Sequence, residues 1–298
     1  MIRKCSLMRL MTRLIFVITF AVCAYSPLPA SAAVLGPSLG MASGFAALAG
    51  YAVTCTGSTV VGDVGVVTAG GFTNTGCTMT GTLHNGDAAA AAAYVDFLHA
   101  YDALEFNTPC DQTLTGTLAG VTLTPGVYCF TAAAALTGTL TLDGPADAVW
   151  IFKVGTGGTG ALTGTNFSVV MSGGAESAPC PNVYWWVSQA ATLTTSRFLG
   201  TILAGADITV TGGSFHGDAL AGGSGTSALP SGRVTFTTAT VTGCAPAGGS
   251  VVHVKTRCNQ GVGNGPEGCD PGNSNHHNLS NDERGGTPGN PGRKPGNR

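Results

Sequence analysis

The sequence predicts a mainly β solenoid accompanied by one long α-helix, and three observations carry that reading. The tetrapeptide Leu-Thr-Gly-Thr recurs at 114–117, 136–139 and 162–165, with close or looser variants at 79–82, 193–196 and 210–213. A second series of apolar runs, at 127–130, 149–152, 183–186, 198–204 and 215–221, reads as another strand position. One alanine-rich segment, 88–106, breaks the β pattern.

Successive side chains of a strand point to opposite faces. The leucine of each Leu-Thr-Gly-Thr unit is therefore expected to point into a core and its threonines outward. The threonines that follow the apolar residue are Thr80, Thr115, Thr137, Thr163, Thr194 and Thr211, at intervals of 35, 22, 26, 31 and 17 residues. Such uneven spacing predicts coils of unequal length with insertions rather than a regular tandem array. Several strands of the second series are apolar on both faces, the pattern of a strand covered on both sides.

The helix supplies the second cover. Asp87 is placed as an N-cap, where a carboxylate meets the first free N–H groups and the positive end of the dipole. Tyr94, Phe97, Leu98, Tyr101 and Leu104 follow at helical spacing, and Pro109 ends the segment. The stripe reads as core packing against the solenoid.

The ends of the chain differ from its middle. Arg3, Lys4, Arg9 and Arg13, an apolar stretch from Leu14 to Ala24, and Ala30-Ser31-Ala32 together read as a secretory signal over 1–32, cleaved near Ala32. The apolar stretch is too short to span a bilayer, so no membrane span is expected in the mature form. Residues 33–244 read as one domain, and 245–298 as a Gly/Pro/Asn-rich tail that is largely disordered. Of ten cysteines, Cys5 and Cys23 fall in the signal. The remaining eight suit disulfides in a secreted chain and allow 105 pairings. Pairing sequence neighbours gives Cys55–Cys77, Cys110–Cys129, Cys180–Cys244 and Cys258–Cys269. No two have CxxC spacing, so no metal site is expected.

Charged residues make up 9% of the chain, against a usual ~25%. The net charge of -2 gives no basic footprint for nucleic acid. The acidic residues are scattered, Asp143 and Asp147 flank a Gly-Pro turn, and His84, His99 and His216 have no metal-ligand spacing. No catalytic set and no cofactor site assembles, so the chain is expected not to be an enzyme. What remains is an uncharged threonine array: stiff, β-branched side chains each offering a methyl and a hydroxyl.

Further segments carry a resemblance. Residues 39–50 (Leu-Gly-Met-Ala-Ser-Gly-Phe-Ala-Ala-Leu-Ala-Gly), Gly62–Val66, Leu83–Ala90, Leu123–Tyr128, Ala148–Phe152 and Phe198–Ala204 resemble, in order over roughly 36–242, the ice-binding-like domain of secreted bacterial and fungal antifreeze proteins. The resemblance implies a right-handed solenoid of roughly triangular section with the helix alongside. It also implies adsorption to an ice crystal through one flat face, by a secreted protein expected to act as a monomer. Candidate ice-contacting residues are Thr80, Thr115, Thr137, Thr139, Thr163, Thr165, Asn166, Thr192, Thr194, Thr209 and Thr211. The alternative is a cell-surface adhesive module that binds polysaccharide or another cell. That reading would need an exposed aromatic, and adjacent Trp185 and Trp186 place one ring away from the core.

Overall fold

A computed structural model describes residues 34–174, 180–223 and 230–244. The signal, the tail and the pair Cys258 and Cys269 lie outside the described residues. The building unit is a coil of three short strands. The first coil is β1 (Phe45–Ala49), β2 (Ala52–Thr56) and β3 (Thr59–Val61); the second is β4 (Asp63–Val66), β5 (Phe72–Thr75) and β6 (Thr78–Thr80). β7 (Leu83–Asn85) opens a further turn and leads into the helix α1 (Ala88–Asn107). After α1 come β8 (Gln112–Thr113), β9 (Val121–Leu123), β10 (Gly126–Phe130), β11 (Ala134–Asp143), β12 (Trp150–Val154) and β13 (Leu162–Ser172). Three regular coils follow: β14 (Val183–Val187), β15 (Ala191–Thr194), β16 (Arg197–Leu199); β17 (Thr201–Ala204), β18 (Ile208–Thr211), β19 (Ser214–His216); and β20 (Ala219–Ala221), β21 (Arg233–Thr237), β22 (Thr240–Thr242).

Like strands of successive coils pair in parallel and build three walls, hence a triangular section. The first wall runs β7-β4-β1-β20-β17-β14-β12-β10-β8. The second runs β5-β2-β21-β18-β15-β13 and ends on the first half of β11; the third runs β6-β3-β22-β19-β16 and continues on the second halves of β13 and β11 to β9.

Stack order is not chain order. From β1, in the interior of the stack, the chain winds two coils to one end and is carried by α1 to the other end. It then climbs back until its last coil, β20–β22, closes against the first coil. Eight inter-strand steps along the first wall come to about 38 Å, and the 20 residues of α1 span about 30 Å. A helix is the short rigid way to cross that distance while satisfying its own backbone.

The interior is an apolar ladder. Phe152 stacks on Trp185 at 3.9 Å between ring centroids, and Phe198 on Phe215 at 5.8 Å. Trp150, Phe167 and Phe236 are fully buried beside them. The outward side of the first wall (Leu48, Ile151, Trp186, Leu203, Leu220) meets Ala93, Phe97, Ala100, Tyr101 and Leu104 of α1. The two-sided apolar strands and the helical stripe are thus one interface. Asp87 caps α1 by accepting from the Ala90 N–H at 2.9 Å, and its other oxygen pairs with His84 Nδ1 at 2.8 Å. Among the described residues no helix is long and apolar enough to cross a membrane.

Among the described residues three disulfides fasten the stack at different points. Cys55–Cys77 joins the two outer coils, Cys110–Cys129 ties the segment after α1 to β10, and Cys180–Cys244 ties the end of the last coil to the segment before β14.

Candidate functional site

The second wall assembles two columns of threonine. The first column is Thr73, Thr54, Thr235, Thr209, Thr192 and Thr163, ending on Ala135. The second is Thr75, Thr56, Thr237, Thr211, Thr194 and Thr165. Each pair flanks one inward residue: Asn74, Cys55, Phe236, Val210, Leu193 and Gly164. The columns stand about 6.7 Å apart along the strand, and their members repeat about every 4.8 Å across it. All twelve are exposed or half-exposed.

No charge stands within the columns. Asp207 and Arg233 stand at the edge where strands enter the wall; Asp207 accepts from the Arg233 N–H at 2.9 Å, and the Arg233 guanidinium lies 4.7 Å over the Tyr51 ring. At the opposite edge every strand leaves through a residue of positive φ: Gly76, Gly57, Thr238, Gly212, Thr195, Asn166 and Gly138 in stack order. This common turn keeps successive rungs in register.

Six of the threonines singled out in the sequence belong to the columns: Thr163, Thr165, Thr192, Thr194, Thr209 and Thr211. Asn166 stands on the corner beside them, with its amide oxygen accepting from the Thr195 hydroxyl. Thr80 and Thr139 belong to the third wall, and Thr115 lies beyond β8 in an irregular stretch outside both columns. The Leu-Thr-Gly-Thr copies are not equivalent, which corrects the reading of one repeated position. Leu136 pairs with Gly164 rather than Leu162, and the register shifts between Leu136 and Gly138. Thr137 stands at that break, without a register partner in the second column, and Thr139 has already turned onto the third wall.

Sequence reasoning missed Thr54, Thr56, Thr73, Thr75, Thr235 and Thr237. The signal was present as Thr-x-Thr followed by a residue able to take the left-handed turn: Thr54-Cys55-Thr56-Gly57, Thr73-Asn74-Thr75-Gly76 and Thr235-Phe236-Thr237-Thr238.

The third wall is more mixed, with Arg197, Leu199, His216 and Val170 among its outward residues. α1 covers the first wall, including Trp186, which is 3% exposed; the exposed aromatic required for sugar contact is absent at that position.

A parallel solenoid of three-stranded coils, with one helix along its stack and one hydroxyl-bearing, uncharged wall, defines the class. The chain belongs to the ice-binding-like family, whose pattern it matches over residues 47–244. It is 40% identical over 207 residues to an ice-binding protein of Nostoc sp. (strain HG1), covering 66% of this chain and 73% of the relative. It is 31% identical over 211 residues to one from Leucosporidium sp. (strain AY30), covering 62% and 78%. Among solved structures, an ice-binding protein from an Antarctic biological consortium superposes with a TM-score of 0.63 at 33% identity, covering 74% of this chain and 96% of that one. That of the Antarctic ascomycete Antarctomyces psychrotrophicus gives 0.61 at 32%, covering 70% and 98%.

Proposed function

We propose that this protein adsorbs to ice through its second wall, slowing ice growth or recrystallisation without catalysis, as a secreted monomer. The observation that carries the reading is the pair of in-register threonine columns. The hydroxyls and intervening backbone hold water by hydrogen bonds, while the methyls, fixed by β-branching, order the water between them. Water held over such an array is already close to an ice layer, and a charge would reorient it. Membership in the family and the named relatives support the same target.

The test is Thr209→Tyr, at the centre of the first column. A surface change of this kind usually alters stability by no more than about 0.5 kcal/mol, while the ring projects from an otherwise even face. The expected result is an unchanged melting temperature and a sharp loss of ice-recrystallisation inhibition, with Thr122→Tyr on the third wall as control. Full activity in a folded Thr209→Tyr protein moves the adsorbing surface elsewhere. An inactive parent protein rejects ice adsorption itself.

A further inference from the structure

We propose that Ser58 and Ser196 are positioning residues of the adsorbing face, their buried hydroxyls holding the second threonine column in register from behind. The proposal rests on the ice-adsorption reading and deepens it with residues that never meet the ice.

Register partners of the second wall stop at the left-handed turn and resume on the third wall: Thr56 pairs with Thr237 before the turn, and Thr59 with Thr240 after it. The residues just past the turn are, in stack order, Cys77, Ser58, Ala239, Gly213, Ser196 and Phe167. Ala239 and Phe167 are buried, so their N–H groups need an acceptor inside the protein. Each finds it on the neighbouring coil. The Ala239 N–H donates to Ser58 Oγ at 3.0 Å, and the Phe167 N–H to Ser196 Oγ at 3.2 Å.

The same two oxygens reach the column. Ser58 Oγ donates to the Thr56 carbonyl at 3.1 Å. Ser196 Oγ has the Thr194 carbonyl at 3.0 Å and the Gly164 carbonyl at 3.2 Å, and its single proton serves either. Thr56 and Thr194 belong to the second column. Their register partners, Thr237 and Thr165, stand two residues before the donors Ala239 and Phe167. On each of these two steps one buried oxygen therefore holds a rung by its carbonyl and the next rung by the amide behind its turn. Cys77 repeats the arrangement at the end of the stack, its Sγ accepting from the Ser58 N–H at 3.1 Å.

Burial alone does not call for a hydroxyl here, because Ala239 and Phe167 fill the same place with a methyl and a ring. Nor do the serines reach the surface: they are 4% and 3% exposed. They act through the threonines. An array of side chains presents a fixed spacing only when buried hydrogen bonds hold the backbone beneath it. Ser58 has the more exacting place, since its bond to Ala239 spans 181 positions of the chain and fastens the last coil to the first. Losing it frees a buried N–H at that seam and lets the Thr56 and Thr237 rungs shift against each other.

The experiment compares Ser58→Ala and Ser196→Ala with Ser58→Thr and Ser196→Thr, which keep the hydroxyl. Melting temperature, amide hydrogen exchange and recrystallisation inhibition are measured on the full chain, the last of these in the cold, far below the melting temperature. The expected result is a folded alanine variant with several-fold weaker inhibition. Exchange should be roughly tenfold faster at the Ala239 amide for Ser58→Ala and at the Phe167 amide for Ser196→Ala. Both threonine variants should restore activity and protection. Should Ser58→Ala fail to fold, Ser196→Ala, away from the seam, carries the same test. Failure of both to fold assigns the serines to the fold alone and overturns the proposal. So does an activity loss that threonine does not restore, or one no larger than the unfolded fraction accounts for. Full activity in a folded alanine variant whose Thr209→Tyr counterpart is inactive overturns the role of the serines and leaves the face. An inactive parent overturns both.

Discussion

Thr54 and Thr235 are register partners on adjacent coils although 181 positions separate them in the chain. The last coil inserts beside the first, so the threonine columns cross the seam where the fold closes. Two rungs, from β5 and β2, lie on one side of β21 and the remaining rungs on the other. The face is continuous only when that coil is seated.

Loosening the last coil should therefore damage the face in its interior. Cys180–Cys244 closes a sequence separation of 64 residues, worth about 4 kcal/mol in the chain-entropy account. Replacing both cysteines by serine should lower stability by up to that amount. Replacing Cys55 and Cys77, 22 apart, should cost about 3 kcal/mol and loosen the outermost coil. Thermal unfolding of the oxidised variants measures both.

Phe236 tests the same seam from within. It is fully buried in the inward column between Cys55 and Val210. Phe236→Ala should cost about 3–5 kcal/mol. Limited proteolysis should then cut first around β20–β22; cleavage that begins at the β8 end would place the weak point elsewhere.

Asp218 predicts a pH dependence. Its carboxylate is 1% exposed, and burial raises its pKa from 3.8 to about 7, against opposing hydrogen bonds from the Cys244 N–H and the Thr201 hydroxyl. Because the folded-state pKa lies above the unfolded one, the native state holds the proton more tightly. This site's contribution should be fully present below about pH 4 and fall as pH rises toward 7, with a slope approaching ~1.4 kcal/mol per pH unit. Asp218→Asn keeps an acceptor for Cys244 and should flatten that slope. Chemical denaturation midpoints at several pH values check it.

Asp87 predicts the opposite sign. The Ala90 N–H, then His84, hold its pKa below the ordinary value of 3.8, so its stabilisation is present above that value and lost as pH falls through the folded pKa. Asp87→Ala should cost about 1 kcal/mol by loss of the cap. Melting curves at neutral pH should show the loss, and strongly acidic pH should narrow the difference.

The parts written in local pattern were legible in the sequence. Asp87 and the stripe from Tyr94 to Leu104 announced α1, and the two-sided apolar runs around Ile151 and Leu203 announced the wall beneath it. The order of coils was not legible. Docking of β20–β22 on the first coil is a long-range pairing with no local signature, and parallel partners such as Val53 and Val234 carry nothing that names each other. Half of the candidate face was hidden for a related reason. Attention to leucine as the inward residue selected Leu162 and Leu193, yet the inward position also accepts Cys55, Asn74 and Phe236. The outward threonines and the left-handed corner were the constant of the pattern, and the residue between the threonines was its variable, buried in Cys55 and Phe236 and exposed in Asn74 at the end of the stack.

The closure of the last coil against the first also fixes how long this adsorbing face can be. Both ends of the stack are made by internal segments, at β5–β7 and at β8–β9. A repeat appended after β22 would find its docking edge already taken by β3. Lengthening the face, by mutation or by engineering, has to proceed through insertion of a coil within the stack, and each added coil, about 4.8 Å high, demands a little under one further helical turn of about 5.4 Å to cover it. The accessory helix is in this sense a ruler for the solenoid.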